Sequence, residues 1–179
     1  MRSIRLCLHV CLLLTVGIAA SCGGGGGRED VLEGSPPGIG DGDLHGVADM
    51  AYVVEHFPVF ATRTGLVSVP EETVSYLEEL RRPIHLILFL GTWCHDAQVH
   101  VPHLFKALRR ADNRRISMQV VGMDRRKQDR DGFCADYDIA YSPTLVVMRE
   151  GRELGRVVEV PVEDMATDLV SILRSTLSR

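Results

Sequence analysis

The stretch "GTWCHDAQVHVP" at positions 91–102 contains the residues best suited to chemistry. Cys94 follows Trp93 at the end of an apolar run, at the point where a helix is predicted to begin. The N-terminus of a helix presents unpaired backbone N–H groups and the positive end of the helix dipole, which stabilise a thiolate over a thiol. Cys94 is therefore a candidate nucleophile, and an inert buried cysteine is the alternative interpretation.

The position of a second thiol is taken by another residue. A dithiol redox site carries its resolving cysteine three residues after the first, and Ala97 stands there. Cys94 could attack a disulfide, accept a thiol adduct or be oxidised to a sulfenic acid, but it could not resolve the mixed disulfide internally. A protonated His95 would favour the thiolate, whereas the charge of Asp96 would oppose it, although an acid at this point is also a good helix starter.

The elements that position Cys94 follow from the hydrophobic pattern. The predicted elements are, in chain order, a helix within 70–83, a buried strand over 84–90, a helix over about 95–110, a buried strand over 116–124, a short helix before residue 140, a β-hairpin over 143–160 that turns at Glu150-Gly151, and an amphipathic helix within 162–177.

This order of elements, the Trp-Cys turn and the sequence "YSPT" at 141–144 resemble the thioredoxin family. Pro102 matches the proline that kinks the family's active-site helix, and Pro143 matches its cis-proline, whose loop lies beside the reactive cysteine. The resemblance covers about residues 55–177, and within the family it is greatest to a bacterial exported group with Trp-Cys-x-Asp in place of Trp-Cys-x-Pro. It implies an α/β thioredoxin fold, with a central mixed sheet flanked by helices and a cis-proline loop before a C-terminal β-hairpin and helix.

The resemblance also implies a set of site residues around the nucleophile Cys94. The residues expected to form or support the substrate groove are Trp93, His95, Asp96, Ser142, Pro143 and Thr144. One departure from the family is Leu88, which stands where thioredoxins bury an acid as a proton acceptor. The site that the resemblance implies is thus incomplete as a dithiol thioredoxin site.

Two other sets of residues are expected to have no part in the chemistry. Cys134 is interpreted as a small buried residue, because a disulfide needs Cα atoms within about 7 Å and the resemblance implies that its helix lies well away from Cys94. His100 and His103 share a helix face near Cys94, but a surface or partly packed pair is the preferred interpretation over a metal site. No metal and no cofactor are expected.

The N-terminus has the order of a secretory signal peptide, with Arg2 and Arg5 before an apolar run that is too short to span a membrane. Cys22 follows small residues as in a bacterial lipobox, which predicts a lipoprotein; simple secretion is the alternative. We expect a signal peptide at 1–21, a Gly-rich flexible tether at 22–46 and a thioredoxin-like domain at 47–179. The protein would then be exported to the cell envelope, lipid-anchored through Cys22 and facing the periplasm or exterior.

The chain of 179 residues has a formal net charge of −4, and nothing in it suggests the basic face that a nucleic-acid partner requires. Two functional hypotheses follow. In the first, Cys94 works as a monothiol oxidoreductase on protein or small-molecule thiols and disulfides, and an external thiol resolves each adduct. In the second, the cis-proline groove docks a partner chain and Cys94 performs no turnover.

Overall fold

The structure is a computed structural model, and it describes residues 30–177. The elements of this part of the chain are β1 (Gly38–Gly40), β2 (Asp43–Ala48), α1 (Met50–His56), α2 (Pro58–Leu66), α3 (Glu71–Glu79), β3 (Ile84–Leu90), α4 (His95–Ala111), β4 (Ile116–Gly122), α5 (Phe133–Asp136), β5 (Thr144–Arg149), β6 (Arg152–Val158) and α6 (Met165–Leu177). The strands form one sheet in the order β1-β2-β4-β3-β5-β6. β3 pairs parallel with β4 and antiparallel with β5, so the sheet is mixed. The predicted fold class is confirmed.

Strand β3 is the centre of the core, and all seven of its residues are buried. Successive side chains of a strand point to opposite faces. Leu88 and its same-face neighbours pack in the larger cluster with residues of α3, α4 and α6, such as Phe105. Phe89, on the other face, packs in a smaller cluster that includes Cys134 of α5. The continuous apolar run therefore reflects a strand covered on both sides.

Helix α4 carries the predicted nucleophile at its first turn. Cys94 is the residue before the helix, Pro102 lies within it, and the left-handed Asp112 (φ 40°) follows its end. Its first turn carries Asp96 and its last turn carries Arg109 and Arg110, an arrangement that complements the helix dipole. The predicted span of about 95–110 agrees with the observed one to within a residue.

The C-terminal hairpin turns where the sequence predicted. Glu150 and Gly151 connect β5 to β6 with φ values of 52° and 74°. Two successive residues with positive φ characterise the two-residue turns that match the twist of antiparallel strands. The strand predicted over 116–124 ends earlier, at Gly122, and the helix predicted within 70–83 is also shorter, at Glu71–Glu79.

The predicted domain boundary at residue 47 is wrong, because the chain from residue 30 onwards is already part of the fold. β2 pairs antiparallel with β4, and Leu44 is completely buried. Gly46 has a φ of 78°, and a Cβ there would lie 2.4 Å from the carbonyl oxygen of Pro36. This glycine therefore serves a close backbone approach that no larger residue allows, and residues 30–46 belong to the fold.

The predicted signal peptide and Cys22 lie outside the described residues. Between residues 30 and 177, no helix is long and apolar enough to cross a membrane.

Candidate functional site

Several hydrogen bonds hold the turn between β3 and α4 in place. The Cys94 amide donates to the Gly91 carbonyl at 2.9 Å, and the Gln98 side chain donates to the Thr92 carbonyl at 2.9 Å. The Gly91 amide donates to the hydroxyl of Ser142 at 2.9 Å. Because these groups are buried or half-buried, each bond satisfies a donor or acceptor that would otherwise be costly. The turn is therefore fixed locally and also tied to a loop 51 residues away in sequence.

Cys94 lies directly against the cis-proline loop. The Ser142–Pro143 peptide bond is cis, and the Cys94 thiol donates to the Ser142 carbonyl at 3.0 Å. Cys94 is only 9% exposed. Thr144 begins β5 and its hydroxyl donates to the Tyr141 carbonyl at 2.9 Å, which closes the loop. The fold thus brings together the two distant stretches from which the sequence analysis drew its site residues.

No second thiol packs with Cys94 within the described residues. Ala97 is fully buried in the larger core cluster, on the first turn of α4. Cys134 is free, as is Cys94, and packs in the smaller cluster on the opposite face of the sheet. Burial, together with the neighbouring Asp129, raises the pKa of Cys134 to about 12. A thiol with so high a pKa is a poor nucleophile at neutral pH.

Trp93 is covered by the loop that follows β4. Its indole N–H donates to the Met123 carbonyl at 3.2 Å. The Lys127 ammonium nitrogen lies 4.2 Å from the centroid of the Trp93 ring, and the Arg125 guanidinium carbon lies 5.1 Å from it. Gly91 leaves room for the ring, because a Cβ at this position would lie 2.6 Å from an indole carbon. The basic run at 125–127 was visible in the sequence, but its contact with Trp93 was not.

The N-terminal hairpin of β1 and β2 also supports the turn, through residues that the sequence analysis missed. The Leu44 amide donates to the Thr92 hydroxyl at 3.2 Å, and that hydroxyl donates to the Asp43 carboxylate at 3.0 Å. No sequence motif identifies Asp43 or Leu44, since they lie in the Gly-rich segment that was interpreted as a tether. The β1–β2 hairpin, which lies outside the span of the family resemblance, therefore supports the turn between β3 and α4.

The remaining polar residues of α4 lie around the first turn. His95 is exposed and Asp96 is half-buried. Burial lowers the pKa of His100; the charge of Asp96 opposes this shift, whereas His103 and His95 add to it. Among residues 30–177, no group of three histidine, cysteine or acidic side chains is arranged to hold a metal ion. Cys94 and Cys134 are the free cysteines of the described residues, and Cys94 is the one that lies at this turn.

Fold and site together define a protein of the thioredoxin fold with one cysteine at its active-site turn. Residues 62–170 match the family model described as "Thioredoxin", and the chain belongs to the thioredoxin family. This membership suggests a function in redox chemistry in general.

Three solved structures are similar to this chain, and the first two share its fold. An HIV epitope scaffold is 20% identical with a TM-score of 0.58, and the match covers 72% of this chain and 93% of the scaffold. A protein of unknown function from Pseudomonas aeruginosa is 20% identical with a TM-score of 0.52, covering 72% of this chain and 81% of that one. Thioredoxin O2 from Arabidopsis thaliana is 16% identical with a TM-score of 0.40, covering 60% and 90%. No curated protein matches by sequence.

Proposed function

We propose that this protein carries out thiol–disulfide exchange through Cys94 alone, with an external thiol completing each cycle. One observation carries the proposal: the Cys94 sulfur lies at the start of α4 and 3.0 Å from the Ser142 carbonyl oxygen, beside cis-Pro143. This is where a substrate backbone could pair with the loop while its disulfide meets the nucleophile. The position of Ala97 makes the exchange a monothiol one.

Each cycle has two steps. The Cys94 thiol loses its proton and attacks one sulfur of a substrate disulfide; the substrate S–S bond breaks, a Cys94–substrate disulfide forms, and the other half leaves as a thiolate that takes up the proton. An external thiol, such as a partner protein's cysteine or a small-molecule thiol, then attacks the substrate sulfur of this adduct. Cys94 is released as a thiol and the substrate carries the new disulfide, so no other oxidant is needed.

The residues near Cys94 have different roles in this proposal. The proposed substrate groove consists of Trp93 and the loop from Ser142 to Thr144, and the Ser142 carbonyl lies beside the sulfur. Hydrogen bonds of Gly91 and Gln98 hold the turn in place. His95 is exposed next to the proposed nucleophile. The proposed partners are protein or small-molecule thiols and disulfides.

We also propose that the protein works in the cell envelope, anchored to a membrane by lipid on Cys22 and facing the periplasm or exterior. The proposal rests on the order of residues 1–22, in which an apolar run and small residues precede the cysteine. Metabolic labelling with a radioactive fatty acid should label the wild-type chain but not Cys22→Ala. A chain that is secreted without label would identify an ordinary signal peptide instead.

The proposed exchange is tested by exposing the purified chain to glutathione disulfide and mapping the adduct by peptide mass spectrometry. We expect one glutathione on Cys94, its loss in Cys94→Ser, its persistence in Cys134→Ser, and its removal by free glutathione. Cys94→Ser replaces sulfur by oxygen and should leave the fold intact, as checked by circular dichroism. A folded wild-type chain in which Cys94 forms no adduct would overturn the proposal.

A further inference from the structure

We infer that Arg125 and Lys127, held over Trp93, form an anion-recognition subsite that selects disulfides carrying carboxylates close to the sulfur atoms. The inference rests on the proposed exchange at Cys94 and names the class of substrate that this site would take. It assigns a role to a loop that is distant in sequence from both the Trp-Cys turn and the cis-proline.

Both cations are placed beside the residue that immediately precedes the nucleophile. The Lys127 nitrogen is 4.2 Å and the Arg125 carbon 5.1 Å from the centroid of the Trp93 ring. Cations within about 6 Å of an indole face are attracted by the negative charge of the ring face. The contact therefore limits the freedom of two long side chains and keeps two positive charges at the edge of the active-site turn.

The loop that carries these cations is itself anchored. Trp93 donates to the Met123 carbonyl at one end of the loop. The Asp124 carboxylate accepts from the amides of Arg126 and Gln128 at 2.7 and 3.0 Å. Backbone hydrogen bonds from the Lys127 and Asp124 amides close the same turn. A loop fixed in this way presents its charges in one arrangement, which lowers the entropy cost of binding.

Acidic side chains within residues 30–177 do not neutralise the charges of Arg125 and Lys127 by ion pairing. Within residues 30–177, neither Arg125 nor Lys127 takes part in an ion pair. The nearby acids are used differently: Asp124 holds backbone amides of the loop, Asp43 accepts the Thr92 hydroxyl, and Asp96 lies in the first turn of α4. Two cations that form no ion pair within residues 30–177 and lie over Trp93, the residue before Cys94, favour a substrate that brings its own carboxylates.

The test compares the rate at which Cys94 forms mixed disulfides with three small probes of different charge. The probes are glutathione disulfide, which is anionic, hydroxyethyl disulfide, which is neutral, and cystamine, which is cationic. In Arg125→Gln/Lys127→Gln, we expect the glutathione disulfide rate to fall about fivefold, the neutral rate to stay unchanged and the cystamine rate to rise. The difference should shrink at high ionic strength, because salt screens exposed charges.

Two control variants separate charge from structural effects. Arg81→Gln/Arg82→Gln removes the same charge from exposed residues just before β3, at the opposite end of that strand from Cys94, and should leave all three rates unchanged. Arg125→Lys/Lys127→Arg keeps both charges and should retain the preference for the anionic probe. Circular dichroism checks that each variant is folded.

The outcomes distinguish this inference from the function on which it rests. If the folded wild type does not react even with hydroxyethyl disulfide, the proposed exchange is wrong. If it reacts with that probe but Arg125→Gln/Lys127→Gln leaves the glutathione disulfide rate unchanged, the exchange stands and the subsite is wrong. A disulfide-linked acidic peptide is the last probe: a greater charge effect with it than with glutathione disulfide indicates an acidic protein segment as substrate, and a smaller one indicates a small thiol.

Discussion

At the scale of single residues, Ala97 is the side chain on which the proposed monothiol chemistry depends. Ala97 stands three residues after Cys94 and is completely buried against the core. Its methyl group cannot attack a mixed disulfide, and the free Cys134 lies on the other face of the sheet with its pKa raised to about 12. These two placements support the proposed resolution by an external thiol.

Replacing Ala97 by cysteine should install the missing resolving thiol. We expect Ala97→Cys to form an intramolecular disulfide with Cys94 on mild oxidation, because residues 94 and 97 lie together at the first turn of α4. The reduced variant should lose about 1–3 kcal/mol of stability, since the site is already fully packed. Thiol titration and intact mass should show two thiols fewer after oxidation, and Ala97→Ser, which cannot form the bond, serves as the control. Persistence of both thiols under oxidation would contradict the prediction.

At the scale of elements, the active-site turn depends on parts of the chain that come from three directions. The turn follows β3 directly. Ser142 of the cis-proline loop accepts a hydrogen bond from the Gly91 amide, and the Leu44 amide of the β1–β2 hairpin donates to the Thr92 hydroxyl. The hairpin is the part that the family resemblance did not cover. Thr92 is only 5% exposed, so its hydrogen bonds are made in an environment with little water.

Thr92→Val tests whether the hairpin supports the turn. The substitution preserves shape but removes the hydroxyl that accepts from the Leu44 amide and donates to Asp43. Leaving a buried amide without a partner costs about 1–3 kcal/mol. Urea unfolding should report this loss of stability, and exchange at Cys94 should become slower as the turn loosens.

The matched control for Thr92→Val is Ser171→Ala, on the exposed side of α6. The Ser171 hydroxyl bonds only to a carbonyl of its own helix, so the change should stay within about 0.5 kcal/mol. Equal effects of the two substitutions would argue against a special role for the hairpin.

At the scale of the whole molecule, a chain of polar contacts joins the centre of the sheet to its N-terminal extension. His85 of β3 is 4% exposed and contacts Ser117 and Gln119 of β4 at 2.8 and 3.0 Å. The Gln119 amide in turn makes two hydrogen bonds with the backbone of Leu32. Burial lowers the pKa of His85, although the Gln119 contact and the charge of Asp30 act in the opposite direction.

This shift predicts how stability depends on pH. A histidine whose pKa is lower in the folded state binds more protons when the chain unfolds, so the free energy of unfolding rises with pH in that range. We expect stability to fall as the pH drops below the ordinary histidine value of 6.5 towards the lowered value. The measurement is the free energy of unfolding by urea at a series of pH values, compared between wild type and His85→Gln.

The difference between the two curves isolates His85 from the other titrating groups, such as His100. The curve of His85→Gln should be flatter as the pH falls below the ordinary histidine value of 6.5, whatever its absolute stability. Parallel curves would show that His85 has the same pKa in the folded and unfolded states.

The local sequence pattern was sufficient to predict those elements whose structure is decided by neighbouring residues. The apolar run of β3, the start of α4 at Cys94 and the hairpin turn at Glu150 and Gly151 were all predicted within a residue or two. Each depends on side-chain periodicity or on backbone conformations that few residues accept. For the same reason, the local pattern gave the wrong prediction for the Gly-rich residues before position 47 that the structure describes. Their composition is that of a linker, and the pairing of β2 with β4 cannot be recognised until β4 is in place.

By itself, the sequence determined that this chain has a thioredoxin-type scaffold, a nucleophile candidate at Cys94 and no second thiol at position 97, because these are properties of residue identity and spacing. Only the tertiary structure decided what surrounds the sulfur: the Ser142 carbonyl, the hairpin that braces Thr92, and the cations over Trp93. The physical reason is that these contacts join residues some 30 to 50 positions apart. They form only when the sheet brings its strands together, and no local pattern encodes them.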